Sequence, residues 1–295
     1  EKASAATGQH HHHLSPSAMK RRRASPLLQL HHLLVLLLLL LFGAAEGGLW
    51  KREQKDFPRI IGGIDAKPGE FPHQVSVQHR GFLGSRHVCG GTILTEQHIL
   101  TTADCVDDFT VASLSVVAGV VSLEDHGENR QVIQIDAVIP HEDFNVVTHS
   151  NNVAILKLKE PLALGDLVQP LSLPPDGEVV PENTLCTVIG WGAIFETGDY
   201  YKELQKAEMT TLTDEACRAS YGAMAIEDSM MCAGLPSEEV DTCDGDEGGP
   251  LLCMGHLHGI TSWGQGCLQS YYPRVFTEVA CYKSWIMMYI SADLS

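Results

Sequence analysis

Gln74-Val75-Ser76-Val77-Gln78 alternates polar and apolar residues with a period of two, the pattern of a strand that turns one face to a core. Outward from it the same character recurs in Gln131-Val132-Ile133-Gln134-Ile135 and in Val153-Ala154-Ile155-Leu156-Lys157-Leu158, with Gly, Pro, Asn and Asp clusters between. Short strands punctuated in this way predict an all-β sandwich or barrel. Only near the end does the spacing change. Val279, Tyr282, Trp285, Ile286, Tyr289 and Ile290 fall three or four apart, which predicts a closing amphipathic helix.

A chain of 295 residues, 44% hydrophobic, suits one sizeable domain or two small ones sharing an interface, and excludes disorder and a membrane bundle. The N-terminal region differs from the rest. Residues 1–18, with the run His10 to His13, precede the first Met and are read as leader sequence outside the fold. Met19 is followed by Lys20-Arg21-Arg22-Arg23, an apolar run from Leu33 to Phe42 and small residues Gly43-Ala44-Ala45, the layout of a secretory signal peptide over 19–47. Secretion is the expected fate, and it places the nine cysteines in an oxidising compartment where four bridges leave one residue over. Eight cysteines allow about a hundred pairings, so the sequence by itself leaves the connectivity open.

Residues 60–295 hold eleven Lys and Arg against thirty-three Asp and Glu, a net charge of −22. That field opposes nucleic acid and anionic membranes and favours basic partners. No N-glycosylation sequon occurs in this part of the chain.

Several motifs then agree with one another. Phe57-Pro58-Arg59-Ile60-Ile61-Gly62-Gly63 resembles the activation junction of trypsin-like zymogens, and it is followed in order by Cys89-Gly90-Gly91-Thr92, Thr102-Ala103-Asp104-Cys105, Gly190-Trp191-Gly192, Asp241-Thr242-Cys243-Asp244-Gly245-Asp246-Glu247-Gly248-Gly249-Pro250 and Ser262-Trp263-Gly264. The chain is similar to the trypsin-like serine proteases over essentially all of 60–290. The resemblance implies a propeptide at 48–59 and a protease-like domain at 60–295, folded as two six-stranded antiparallel β-barrels with a cleft between them and a C-terminal helix. It implies bridges Cys89 to Cys105, Cys186 to Cys253, Cys217 to Cys232 and Cys243 to Cys267. Cys281 then has no family partner and is read as a buried structural thiol in preference to a handle for another chain.

The triad positions depart from the family. A Ser–His–Asp constellation works because an imidazole takes the hydroxyl proton while a carboxylate fixes its tautomer. Here the base position holds Asp104, the carboxylate position Asn152 and the nucleophile position Glu247. Loss of a triad member costs about 10⁴ to 10⁶ in turnover, so the expectation is a non-catalytic homologue, not an enzyme, that acts by binding protein. The alternatives are a serine-type endopeptidase by resemblance alone, or a hydrolase using the Asp104 and Glu247 carboxylates as acid and base. At the oxyanion-hole position, Gly245, the amide is expected to bond the Glu247 carboxylate. The two carboxylates are expected to lie close together.

Further implications concern the pocket and the switch. Asp241, Ser262, Trp263 and Gly264 match the specificity pocket, while Arg274 stands where a Gly is usual; it is expected to pair Asp241 as a fork and plug the slot. Arg59 and Ile60 match the activation cut, made by a trypsin-like protease. Asp246 matches the acid that pairs with the new Ile60 ammonium, and Ser76 and His87 match the residues that hold this acid beforehand. The expected partners are extracellular proteins, basic ones among them. No cofactor and no metal is expected, since Val120 stands where the Glu124 to Glu128 loop would need a carboxylate for calcium.

Overall fold

A computed structural model describes residues 63–82, 84–193, 202–234, 241–267 and 271–293. Residues 1–59, where a leader, a signal peptide and a propeptide are expected, and Ile60 lie outside the described residues.

The first half of the described chain closes into a barrel of six antiparallel strands. These are β2 (Gln74–Gly81), β3 (Gly84–Ile93), β4 (His98–Thr101), β5 (Leu114–Ala118), β6 (Gln131–Pro140) and β7 (Ala154–Leu158), in the order β2-β3-β4-β7-β6-β5. Val75 and Val77 point into it with Ile93, Ile99, Leu114, Val116 and Leu156, as the period-two reading of 74–78 requires. The polar face of β2 is buried too, Ser76 completely.

The second half is a seven-stranded sheet, ordered β1-β9-β8-β11-β12-β13-β10. β1 (Ile64–Asp65) lies on the edge of β9 (Gln205–Thr210), and the others are β8 (Leu185–Gly190), β10 (Met230–Ala233), β11 (Pro250–Cys253), β12 (His256–Trp263) and β13 (Arg274–Glu278). A bridge between Thr211 and Ala233, with Leu212 N–H on the Cys232 carbonyl at 3.0 Å, joins the β9 end to β10 and brings the sheet round on itself. The two six-stranded barrels expected from the resemblance are therefore present, with β1 as an added edge.

Among the described residues, three α-helices complete the frame. α1 (Asp104–Asp107) is a single turn tied to β3 by the Cys89–Cys105 disulfide. α2 (Asp214–Tyr221) starts at Thr213, whose hydroxyl accepts the Ala216 N–H at 3.0 Å, and stops at Gly222, where φ is +96°. α3 (Val279–Asp293) buries Val279, Tyr282, Ile286 and Ile290 against Leu100, Ile155, Leu257 and Ile260, so its apolar stripe packs on strands of both barrels. Each fully buried side chain in that stripe contributes about 1.5–3 kcal/mol, and truncating Ile286 to Ala costs about 2–5 kcal/mol.

The other three disulfides are Cys186–Cys253, Cys217–Cys232 and Cys243–Cys267, the pairs that the resemblance implies. The preference for a buried Cys281 is corrected. This residue lies two positions past Val279, about 200° round the helix, and it is exposed and unbridged. Partial burial of its sulfur and the Glu278 carboxylate beside it push the thiol up to about 11.

Candidate functional site

Asp104 opens α1 at the rim of the first barrel, and Asn152 sits on the loop entering β7, after two residues with left-handed backbone, His149 (φ 55°) and Asn151 (φ 53°). The fold brings the two together. Asn152 Nδ2 donates to Asp104 Oδ2 at 2.8 Å, and the Asp104 N–H donates to Asn152 Oδ1 at 3.1 Å. Asn152 Nδ2 also donates to Ser262 Oγ at 2.9 Å, while the Asn152 carbonyl accepts from Thr277 Oγ1 at 2.8 Å. Asn152 is thus fully buried and held by β12 and β13 of the second sheet.

A residue that the sequence reading passed over joins this cluster. His149 Nδ1 lies 3.5 Å from Asp104 Oδ2, and its ring stacks on Trp263 with centroids 5.8 Å apart and planes 19° from parallel. An imidazole therefore does stand beside Asp104, delivered by the loop instead of the α1 position. The positive φ at 149 was the local signal, and it is not visible in residue types.

Glu247 lies between β10 and β11, where the main chain is tied to both barrels. Its carbonyl accepts the Gly90 N–H at 2.7 Å, and the Gly248 N–H donates to the Thr261 carbonyl at 2.8 Å. The side chain turns back so that Oε2 accepts the Gly245 N–H at 2.7 Å, as expected. Burial pushes the Glu247 carboxyl up to about 7, against the opposing pull of Arg274 and of the nearby amides. The donor at the oxyanion-hole position is occupied by the chain's own acid. Asp104 and Glu247 have different partners: Asn152 and His149 for the first, the Gly245 amide for the second.

Asp246 is fully buried. Its Oδ1 accepts the Gly192 N–H at 2.8 Å and its Oδ2 the Cys243 N–H at 2.9 Å. A Cβ at Gly192 would lie 2.4 Å from the carboxylate, so only glycine lets the main chain come this close. Desolvation raises Asp246 to about 6 in spite of these two donors. His87 reaches the adjacent residue: its Nε2 is 2.8 Å from the Gly245 carbonyl and its Nδ1 is 2.8 Å from Ser76 Oγ. Because a carbonyl only accepts, Nε2 carries the hydrogen and Nδ1 accepts from the Ser76 hydroxyl. Burial lowers His87 to about 4, which keeps this ring neutral. Ser76, His87 and Gly245 form a relay from β2 and β3 to the loop that carries Glu247.

Arg274 fills the pocket. It is 5% exposed, its Nε lies 3.4 Å from Asp241 Oδ1, and a terminal amino group donates to the Thr242 carbonyl. A Cβ on Gly264 would meet Arg274 Nη1 at 2.6 Å, so the guanidinium occupies the space that the open wall provides. Tyr221 packs edge-on to Trp263 at 4.9 Å and donates to the Pro273 carbonyl at 2.6 Å; burial pushes its hydroxyl up to about 12.

The Trypsin family profile matches residues 60–286. Trypsin-1 of Astacus astacus is 40% identical over 235 residues, which cover 77% of this chain and 98% of that protein. Serine protease 56 of Homo sapiens is 34% identical over 246 residues, covering 80% of this chain and 40% of that longer protein. These relatives overturn the expectation that the chain is not an enzyme, since both are named from a family of active proteases. The physical reason is that three substituted side chains bear on one catalytic route only and do not decide what other hydrolytic chemistry the fold supports. The profile, the two relatives and the paired barrels agree, and the chain belongs to the trypsin family.

Proposed function

We propose that this trypsin-family chain is secreted and serves extracellular proteolysis by binding a protein partner, as a regulator or cofactor, without taking a basic side chain into the Asp241 slot. The observation that carries this reading is Arg274, buried in that slot against Asp241 and Gly264. A guanidinium from within occupies the place of one from without, so recognition falls to the outer surfaces of the cleft. Four disulfides suit an oxidising, extracellular compartment. The acidic surface favours basic partners.

A cut after Arg59 by a trypsin-like protease is the proposed switch. Asp246, buried against the Gly192 and Cys243 N–H groups, is the acid that a new Ile60 ammonium would neutralise. A buried carboxylate gains most from a cation that is desolvated together with it. Affinity capture from the native fluid, with protein cut at Arg59 and protein left uncut, tests the reading. Partners held by the cut form alone support it; identical sets, or none in either arm, refute it.

One observation favours a second reading, hydrolysis through carboxylates. The Glu247 carboxyl at about 7 is poised to give and take a proton near neutral pH. Incubating cut protein with peptide libraries from pH 3 to 8 tests it, since turnover by this route disappears in Glu247→Gln.

A further inference from the structure

Outside the cleft, one cluster combines three side chains that the sequence scatters over eighty residues. Glu178 Oε2 lies 3.0 Å from His256 Nδ1 and 3.0 Å from His258 Nε2. The three ligand atoms all lie within 4.8 Å of one another. We propose that Glu178, His256 and His258 form a zinc site, with the fourth position open to water.

The local structure explains why these groups converge. β11 ends at Cys253 and β12 begins at His256, joined by Met254 (φ 52°) and Gly255 (φ 87°), the paired left-handed residues of a tight hairpin turn. β12 carries a bulge at His258, between the Leu252–Leu257 and Leu251–Gly259 pairs, and both His256 and His258 reach Glu178 while Leu257 enters the core with α3. Glu178 arrives on the segment that links the two barrels. That segment is fastened nearby: the Leu257 N–H donates to the Ser172 carbonyl at 3.2 Å, and Lys283 Nζ donates to the Pro174 carbonyl at 2.8 Å.

The donor set and the spacing both suit zinc. Two imidazoles and one carboxylate are a known zinc ligand set, with bonds of about 2.0–2.1 Å. In a tetrahedron with such bonds the ligand atoms stand about 3.4 Å apart. The two separations of 3.0 Å need only a slight opening to admit the ion. His258 is buried on β12, so its ring is held in place by the packing around it. His256 is 30% exposed and Glu178 25%, which leaves an approach from solvent. The chain's strongly acidic balance concentrates cations around it.

A bound ion would cross-link the segment between the barrels to β12, the strand that also carries Ser262 and Trp263. The site shares no residue with the cleft cluster.

The test uses the full chain with His10 to His13 replaced by Ala, so that this run binds no metal. Chelator-treated protein is titrated with Zn²⁺ by calorimetry, and the Co²⁺ form is examined by visible absorption. The expected result is one Zn²⁺ per chain, an intense four-coordinate cobalt spectrum, and a rise in Tm of about 5 °C or more at saturating zinc, reversed by chelator. His256→Ala and Glu178→Gln each weaken binding by about tenfold or more. Both positions are partly exposed, and circular dichroism in chelator confirms that the variants fold. Absence of saturable binding overturns the proposal, as does unchanged affinity in either variant.

Discussion

Asn152 and Asp104 hold each other by two hydrogen bonds running in opposite senses, amide to carboxylate at 2.8 Å and backbone N–H to amide oxygen at 3.1 Å. In the Ser–His–Asp arrangement the carboxylate belongs to the loop residue; here it belongs to the helix residue. Asn152→Asp removes the donor to Asp104 and sets two acids against each other in a buried place. The variant is expected to lose about 2–4 kcal/mol at pH 7. Like-charge repulsion raises the folded-state pKa of the pair, so the deficit is present above the unfolded carboxylate pKa and shrinks as acid restores a proton. Urea titrations at pH 7 and pH 4 measure it, and equal losses at the two values contradict the reciprocal bonding.

Glu247 offers a second pH signature. Its carboxyl is held at about 7, against an ordinary value of 4.5, so the folded state keeps a proton that the unfolded state gives up. Stability therefore falls as pH rises from about 4.5 to about 7 and is flat above that range. Glu247→Gln keeps an acceptor for the Gly245 N–H and has nothing to titrate. Relative to the unaltered chain it is expected to gain about 1–3 kcal/mol between pH 4 and pH 8. Buried His73 and His87, both lowered to about 4, give the opposite slope below about 6.5 in both proteins and cancel in the difference.

Arg274→Gly empties the pocket and removes the buried cation beside Asp241. A loss of about 3–5 kcal/mol is expected. Millimolar guanidinium- or amidinium-bearing small molecules should restore part of it, seen as a rise in Tm for the variant and none for the parent. A parent that responds equally would show that the slot is open despite Arg274.

Cys281 is exposed, but its thiol is held at about 11. Titration of the native protein with an aromatic disulfide reagent at pH 8 should find one thiol per chain, reacting at least about tenfold more slowly than free cysteine. Cys281→Ser abolishes the signal. A fast-reacting thiol would mean that Glu278 does not shape its environment.

Much of this was legible in the residues. Period-two runs locate β2, β6 and β7, and the stripe from Val279 to Ile290 locates α3. The same stripe, read one step further, already places Cys281 off its apolar side. The carboxylate of Glu247 and its amide partner Gly245 are two residues apart, and local geometry was enough to pair them. What the sequence hides depends on contacts between distant segments or on backbone angles. His149 meets Asp104 only because the main chain turns left-handed before Asn152. Glu178 meets His256 and His258 only after the link between barrels folds back on β12. Arg274 meets Asp241 and the Thr242 carbonyl only because the fold lays the start of β13 against residues 241 and 242.

The main chain at the centre of the cleft is already committed to its neighbours, the Glu247 carbonyl to Gly90 and the Gly248 N–H to Thr261. Those bonds ask nothing of the side chain between them. A lineage built on this loop can exchange one reactive group for another without unlearning how to fold. Position 247 is then a socket, and the chemistry it carries is a replaceable fitting.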